Sequence, residues 1–105
     1  MIAVPNLFLA VSTYLVAREE VVMHLVAHRT WAAEGYRRGI MLVSGPQDPP
    51  IGGVMVFRAA NRQKAEEFVA SDPFTLAGVA RYSVVGFEPT GRPWRSAAYE
   101  SFDPS

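Results

Sequence analysis

The 105-residue chain contains no cysteine, and this one absence removes several kinds of chemistry together. Disulfide bonds, thiolate catalysis and cysteine-based zinc or iron–sulfur sites are all excluded. The chemistry of any site therefore falls to His, Asp, Glu, Tyr and Ser side chains. The sequence does not indicate whether the protein works in an oxidising or a reducing compartment, because the absence of cysteine fits both equally well.

The chain also lacks an excess of charge of either sign. Ten Lys and Arg residues balance ten Asp and Glu residues, so the formal net charge at pH 7 is zero. Proteins that bind nucleic acid or an anionic membrane surface carry a basic footprint, which this composition does not supply. We therefore expect neither nucleic acid nor a membrane as a partner.

No hydrophobic run has the roughly 20 apolar residues that a membrane-spanning helix needs. The apolar stretch at residues 7–16 is interrupted by Ser12, Thr13 and Tyr14 and has no basic segment before it, so it does not resemble a signal peptide. Half of the residues are hydrophobic, which is enough for a chain of this length to bury one core. The sequence predicts a single soluble, cytoplasmic domain.

The hydrophobic pattern predicts an α+β domain over residues 1–89, followed by a tail at residues 90–105. Strands rich in β-branched and aromatic residues are expected at 7–15, 40–43, 54–59 and 81–87. Helices are expected from Glu19 to Gly39, after the N-cap Asn61, and as one turn at 74–77. The proline-rich segment 44–50 is expected to be a loop. The order β-α-β-β-α-β is that of a ferredoxin-like sandwich, a four-stranded antiparallel sheet with two helices on one face.

One stripe of the long predicted helix carries an imidazole. The stripe consists of Val21, Leu25, His28, Ala32, Gly35 and Gly39, spaced by three or four residues. His28 is the exception among them, because an imidazole on an apolar face needs a hydrogen-bond partner. It is either a satisfied core histidine or a functional base.

A metal site is the alternative use of this histidine. His24 and His28 stand four residues apart, as two zinc ligands on one helix do. The glutamate expected after the first histidine is replaced by Leu25, and no third ligand is apparent. We therefore predict neither a metal nor another cofactor.

The apolar residues of the first and third strands alternate onto both faces of the sheet. Two helices cover only one face, and a bare apolar face of that size is a liability in a monomer. A homodimer with facing sheets is the economical solution. The tail residues Trp94, Tyr99 and Phe102 are expected to pack on the partner or over a pocket.

Several of these segments together resemble the YciI-like (YCII-related) family over residues 8–89. The resemblance rests on His28, Gly39, the segment Ile40-Met41-Leu42-Val43-Ser44-Gly45-Pro46, Ser71-Asp72-Pro73-Phe74, Ala77-Gly78-Val79 and the strand at 84–89. It implies a dimeric ferredoxin-like α/β barrel with a His–Asp dyad at a pocket between helix and sheet. By this match the dyad is His28 and Asp72. Asp72, followed by proline, also has the pattern of a helix N-cap, and the two roles are compatible.

The family includes a dehydrochlorinase that acts on a chlorinated hydroxyhydroquinone, and muconolactone isomerase shares the dimeric barrel. The resemblance thus implies a small cofactor-independent lyase or isomerase that uses the dyad for general acid/base chemistry on an aromatic or enol-type substrate. The alternative is a non-catalytic protein of a biosynthetic or catabolic pathway that binds a small molecule.

Four residues are candidates for contact with a substrate: Tyr14, Ser44, Gly45 and Tyr82. Their ordinary interpretations are a tight turn for the Ser-Gly pair and strand packing for the tyrosines. The chain departs from the family at Leu25, where many members have an arginine. An anion-binding role for that arginine is then either absent or taken over by Arg18 or Arg29.

Overall fold

The computed structural model describes residues 6–91, and these residues form a four-stranded antiparallel sheet with helices on one face. The elements are β1 (Leu7–Tyr14), α1 (Arg18–Val22), α2 (Leu25–Arg37), β2 (Met41–Pro46), β3 (Gly53–Arg58), α3 (Arg62–Ala70), α4 (Pro73–Leu76) and β4 (Ala80–Phe87). The strand order is β2-β3-β1-β4, and every neighbouring pair is antiparallel. The predicted ferredoxin-like α+β class is confirmed. The aromatic tail residues lie outside the described range.

The helix-covered face of the sheet holds the main core. Because strand residues alternate between faces, every second residue of β1 is buried beneath the helices, beginning with Phe8 and Ala10. Phe8 stacks on Phe57 of β3 with ring centroids 5.9 Å apart. The core cluster comprises Phe8, Ala10, Met41, Met55, Phe57, Ala65, Val69 and Val84.

The single helix predicted from Glu19 to Gly39 is wrong, because α1 and α2 are separate helices joined at Met23 and His24. The His24 N–H bonds to the carbonyl of Val21, three residues back, which tightens the turn and ends α1. Val21, which was predicted to begin the apolar stripe of one long helix, lies in α1 and belongs to a second, smaller core cluster. The C-terminal end is as predicted, since Gly39 has φ +74°, a left-handed conformation that favours glycine.

The strand β2 extends further than predicted, since Ser44, Gly45 and Pro46 belong to it and not to the following loop. These three residues pair with Met55, Val54 and Gly53 of β3, after an irregularity between Met41 and Val43 shifts the register. An edge strand accommodates a proline because one of its sides makes no ladder hydrogen bonds. The predicted strand ended too early because Gly45 and Pro46 were expected to interrupt regular secondary structure.

The opposite side of the sheet, which we call the open face, is also apolar. Val43, Val56, Leu9 and Val85 form one row across the four strands. Val43 is 59% exposed and Val85 is 54% exposed. No helix within residues 6–91 covers this face, and none of them is long and apolar enough to span a bilayer.

Candidate active site

Asp72 lies at the junction of α3 and α4, where the sequence turns sharply before Pro73. The side chain of Asp72 caps α4: its Oδ1 accepts a hydrogen bond of 3.0 Å from the backbone N–H of Phe74. Asp72 is completely buried. A buried carboxylate requires several hydrogen-bond donors, and one N–H does not suffice.

The second donor is His28 on α2. Its Nδ1 lies 2.8 Å from Asp72 Oδ1, and its ring stacks on Phe74 with centroids 4.1 Å apart and planes 3° apart. A carboxylate can only accept, so Nδ1 donates its proton to Asp72, and Nε2 is the ring nitrogen that carries the lone pair in the neutral imidazole. The His28 side chain is 22% exposed. Helix α2 and the α4 turn thus hold the imidazole in one orientation.

Tyr82 on β4 supplies the third donor. Its hydroxyl donates to Asp72 Oδ2 over 2.5 Å. Burial and the Asp72 carboxylate both raise the pKa of Tyr82, so the phenol stays protonated and continues to donate. Both Asp72 oxygens therefore have partners, which explains how the carboxylate can be buried.

A cavity of about 550 Å³ lies beside this pair. His28 lines it, whereas Asp72 lies behind the imidazole and is not part of the wall. The side chains that form the wall are mostly apolar or aromatic. The lining includes Ser12, Tyr14, Arg18, His28, Arg29, Tyr36, Ser44, Gly45, Phe74 and Tyr82.

All four residues predicted to contact a substrate line this cavity. The Tyr82 hydroxyl donates to Asp72, so it also positions the carboxylate. Ser44 Oγ lies 2.6 Å from the Tyr36 hydroxyl, forming a hydroxyl pair between β2 and α2. Tyr14 packs edge-on against Phe74, with ring centroids 6.1 Å apart.

Three residues of the site were missed by sequence reasoning. Tyr36 lies eight residues after His28, a helical spacing that places both on one side of α2 and was available as a signal. Ser12 lies two residues before Tyr14 on β1, so both point to the same face of the sheet. Ser12 is buried, and its hydroxyl accepts a hydrogen bond of 2.8 Å from the Gly53 N–H. The Trp31 ring packs at an angle against the His28 ring, with centroids 5.9 Å apart, and its indole N–H donates to Ser71 Oγ. This contact joins residues 40 positions apart, and no pattern in the sequence predicts it.

The metal alternative finds no geometric support within residues 6–91. No three His, Asp or Glu side chains in that range come together as a ligand set. His24 lies ahead of α2 and does not line the cavity. The absence of metal from the protein itself stays a prediction.

The fold and the site define a ferredoxin-like domain with a histidine–carboxylate pair beside a small-molecule-sized cavity. The chain belongs to the family of the YCII-related domain, whose model matches residues 7–88. This confirms the resemblance found in the sequence.

A solved structure with the same fold is 5-chloro-2-hydroxyhydroquinone dehydrochlorinase (TftG) from Burkholderia phenoliruptrix AC1100, in complex with 2,5-dihydroxybenzoquinone. It is 22% identical, with a TM-score of 0.65, and the match covers 78% of this chain and 93% of that chain. At this identity the likeness shows a shared fold. Comparison with curated proteins found no significant match.

Proposed function

We propose that the protein is a small cofactor-independent enzyme, a lyase or isomerase, in which His28 is the general base. The observation that carries this proposal is the 2.8 Å bond from His28 Nδ1 to a buried Asp72, in a histidine that also lines a cavity. The bond leaves Nε2 as the ring nitrogen that can accept a substrate proton.

The reaction begins with transfer of a substrate proton to His28 Nε2. The pair of electrons from the broken C–H bond forms a new double bond or an enolate. In an elimination a leaving group departs as an anion and the imidazolium releases its proton to water, while in an isomerisation the imidazolium returns the proton to another atom of the substrate. Asp72 stabilises the imidazolium formed in between, and Tyr82 holds that carboxylate in place.

The walls of the cavity favour a small, flat substrate with an activated C–H bond. Tyr14, Tyr36, Phe74 and Tyr82 contribute aromatic rings, which suit an aromatic or enol-type molecule. The dehydrochlorinase of similar fold acts on a chlorinated hydroxyhydroquinone, which supports this class as the first to test.

A homodimer belongs to this proposal. The row formed by Val43, Val56, Leu9 and Val85 leaves the open face apolar and without a covering layer among the described residues. A second copy facing it would bury that surface from both chains. The interface would lie on the side of the sheet opposite the cavity.

The second candidate is a binding protein that performs no reaction. It is favoured by the structural value of Asp72, since this residue caps α4 and links α2, α4 and β4 through its hydrogen bonds whether or not a reaction takes place. In that protein His28 would hold a ligand through Nε2 without accepting a proton from it.

Proton transfer can be tested before the natural substrate is known. Wild type and His28→Ala are incubated in D₂O with a panel of hydroxyhydroquinones, including 5-chloro-2-hydroxyhydroquinone, and small enolisable lactones. NMR measures deuterium uptake at carbon, and an ion-selective electrode measures chloride release. We expect at least one compound to react with wild type and not with folded His28→Ala. Equal rates in both proteins would contradict a catalytic His28; ligand binding without reaction across the panel would favour the second candidate.

A further inference from the structure

The charged side chains of the cavity wall have one sign. Arg18 at the start of α1 and Arg29 on α2 both line it, and no Asp or Glu among residues 6–91 does. Asp72 lies behind His28 and is already bound by three donors. Apart from His28, the titratable side chains that are charged at neutral pH and line the cavity within residues 6–91 are therefore both positive.

These two arginines also lack ion-pair partners, in contrast to other helical basic residues. Arg37 pairs with Glu34 within α2, and Arg62 and Lys64 pair with glutamates within α3. Arg29 has no such option along its helix, since positions 25, 26, 32 and 33 hold only Leu, Val and Ala. Neither Arg18 nor Arg29 forms an ion pair with a residue of the described range.

We propose that the substrate carries an anionic group, such as a carboxylate, which Arg18 and Arg29 bind at the cavity wall. This inference rests on the proposed function and specifies the substrate class. Arginine suits the role because its planar guanidinium donates two parallel hydrogen bonds to a carboxylate. A positive wall also stabilises the negative charge that develops when His28 removes a proton from carbon.

The test compares benzoate with benzamide, a neutral molecule of nearly the same shape. Each is titrated into wild type, Arg29→Gln, Arg18→Gln and the double variant, with the shift of the His28 imidazole NMR signals as the readout. Arg38→Gln is the matched control, because it removes an arginine beside the end of α2 that does not line the cavity. Arg29→Lys tests whether charge alone restores the effect.

We expect wild type and Arg38→Gln to bind benzoate more tightly than benzamide by about tenfold, which is about 1.4 kcal/mol. The preference should shrink in each single variant, disappear in the double variant, return in part with Arg29→Lys, and weaken with added salt. Equal affinities in wild type, no detectable benzoate binding, or a preference that survives the double substitution would overturn the proposal.

The outcome is separable from that of the proposed function. Preference for benzoate without His28-dependent proton exchange would support anion recognition and remove catalysis. Proton exchange in a protein that treats benzoate and benzamide alike would support catalysis and remove the role of the two arginines.

Discussion

The two faces of the sheet carry similar strand patterns but differ in what is inserted among the apolar residues. On the helix-covered face, Ser12 and Tyr82 interrupt the apolar series, and each has a buried or half-buried partner. On the open face, the central row of Val43, Val56, Leu9 and Val85 is apolar. The polar residues of that face lie away from this row and are exposed: Thr13, Arg58, Arg81 and Ser83. The alternating apolar residues of the strands thus indicate which faces of the sheet need to be covered. The buried polar residues among them indicate where the candidate site lies.

This contrast separates two kinds of residue. Substitutions at polar positions beneath the helices should affect the chemistry of the site and the stability of the fold. Substitutions on the open face should leave the chemistry of the site and the fold of the single chain almost intact, and should affect the association of two chains. The following predictions test this separation, beginning with the largest expected effect.

Asp72→Asn should lower the rate of any His28-dependent reaction by about 10²–10⁴-fold, the range of general acid–base effects. The amide has the shape of the carboxylate and can still accept a hydrogen bond, but it does not stabilise the imidazolium. Steady-state turnover checks this at a temperature where thermal unfolding shows both proteins folded, because the weakened hydrogen bonds from His28 and Tyr82 to the buried side chain cost about 1–3 kcal/mol. Unchanged turnover in the folded variant would reduce Asp72 to a helix cap.

Phe57→Ala should lower the free energy of unfolding by about 3–5 kcal/mol, since Phe57 is fully buried beneath the helices and its removal leaves a cavity. Val85→Ala, on the open face, should cost clearly less even in a dimer, because it removes two methyl groups where Phe57→Ala removes a whole ring, and over half of Val85 is exposed in the single chain. Urea unfolding at one fixed protein concentration measures both. Similar losses for the two variants would contradict the difference between the faces.

Val85→Lys should convert a homodimer into a folded monomer. The change places a charge at the centre of the proposed interface, where its desolvation opposes association, while a lone chain leaves the lysine in water. Analytical ultracentrifugation at micromolar concentration compares it with wild type and with Val26→Lys, a control on α2 at a residue that is 78% exposed. Wild type that sediments as a monomer would remove the proposed interface.

Tyr82→Phe should give a smaller loss than Phe57→Ala, about 1–3 kcal/mol in the free energy of unfolding, because Asp72 loses one hydrogen bond to its charged group. The effect should also depend on pH. The pKa of Tyr82 is raised in the folded protein above the ordinary value near 10. The hydroxyl therefore makes its full contribution to the free energy of unfolding at pH values below about 10. Above that value the unfolded tyrosine ionises first, and the contribution declines.

Chemical denaturation of wild type and Tyr82→Phe at pH 8 and at pH 10.5 measures this difference. The stability gap between the two proteins should be smaller at the higher pH. A gap that stays constant or widens would show that Tyr82 ionises as readily in the folded protein as in the unfolded one.

Much of the fold was predictable because local signals agreed with tertiary structure. Gly39 ends α2 and Asn61 caps α3 through a 2.9 Å bond to Lys64 N–H, as their residue types predict. The break before α2 was missed because Val21 turns to a second core cluster, a tertiary contact that overrides helical periodicity. The extension of β2 was missed because pairing at a sheet edge tolerates Pro46.

The site was predictable only in part. His28 was marked by being polar on an apolar stripe, and the family resemblance pointed to Asp72 as its partner. The bond from Tyr82 to Asp72 joins residues on α4 and β4 whose approach is set by the packing of helix on sheet. No spacing in the sequence encodes that distance, so the role of the Tyr82 hydroxyl in holding the carboxylate could not be predicted, while its contact with a substrate stays a prediction.

The double use of Asp72 affects how relatives of this chain can be interpreted. One side chain caps α4 and orients His28, so selection for folding alone would retain it after an ancestral activity had been lost. Asp72 in a relative is therefore not by itself a sign of catalysis, whereas a change at a residue that only lines the cavity is the better indication of a different ligand.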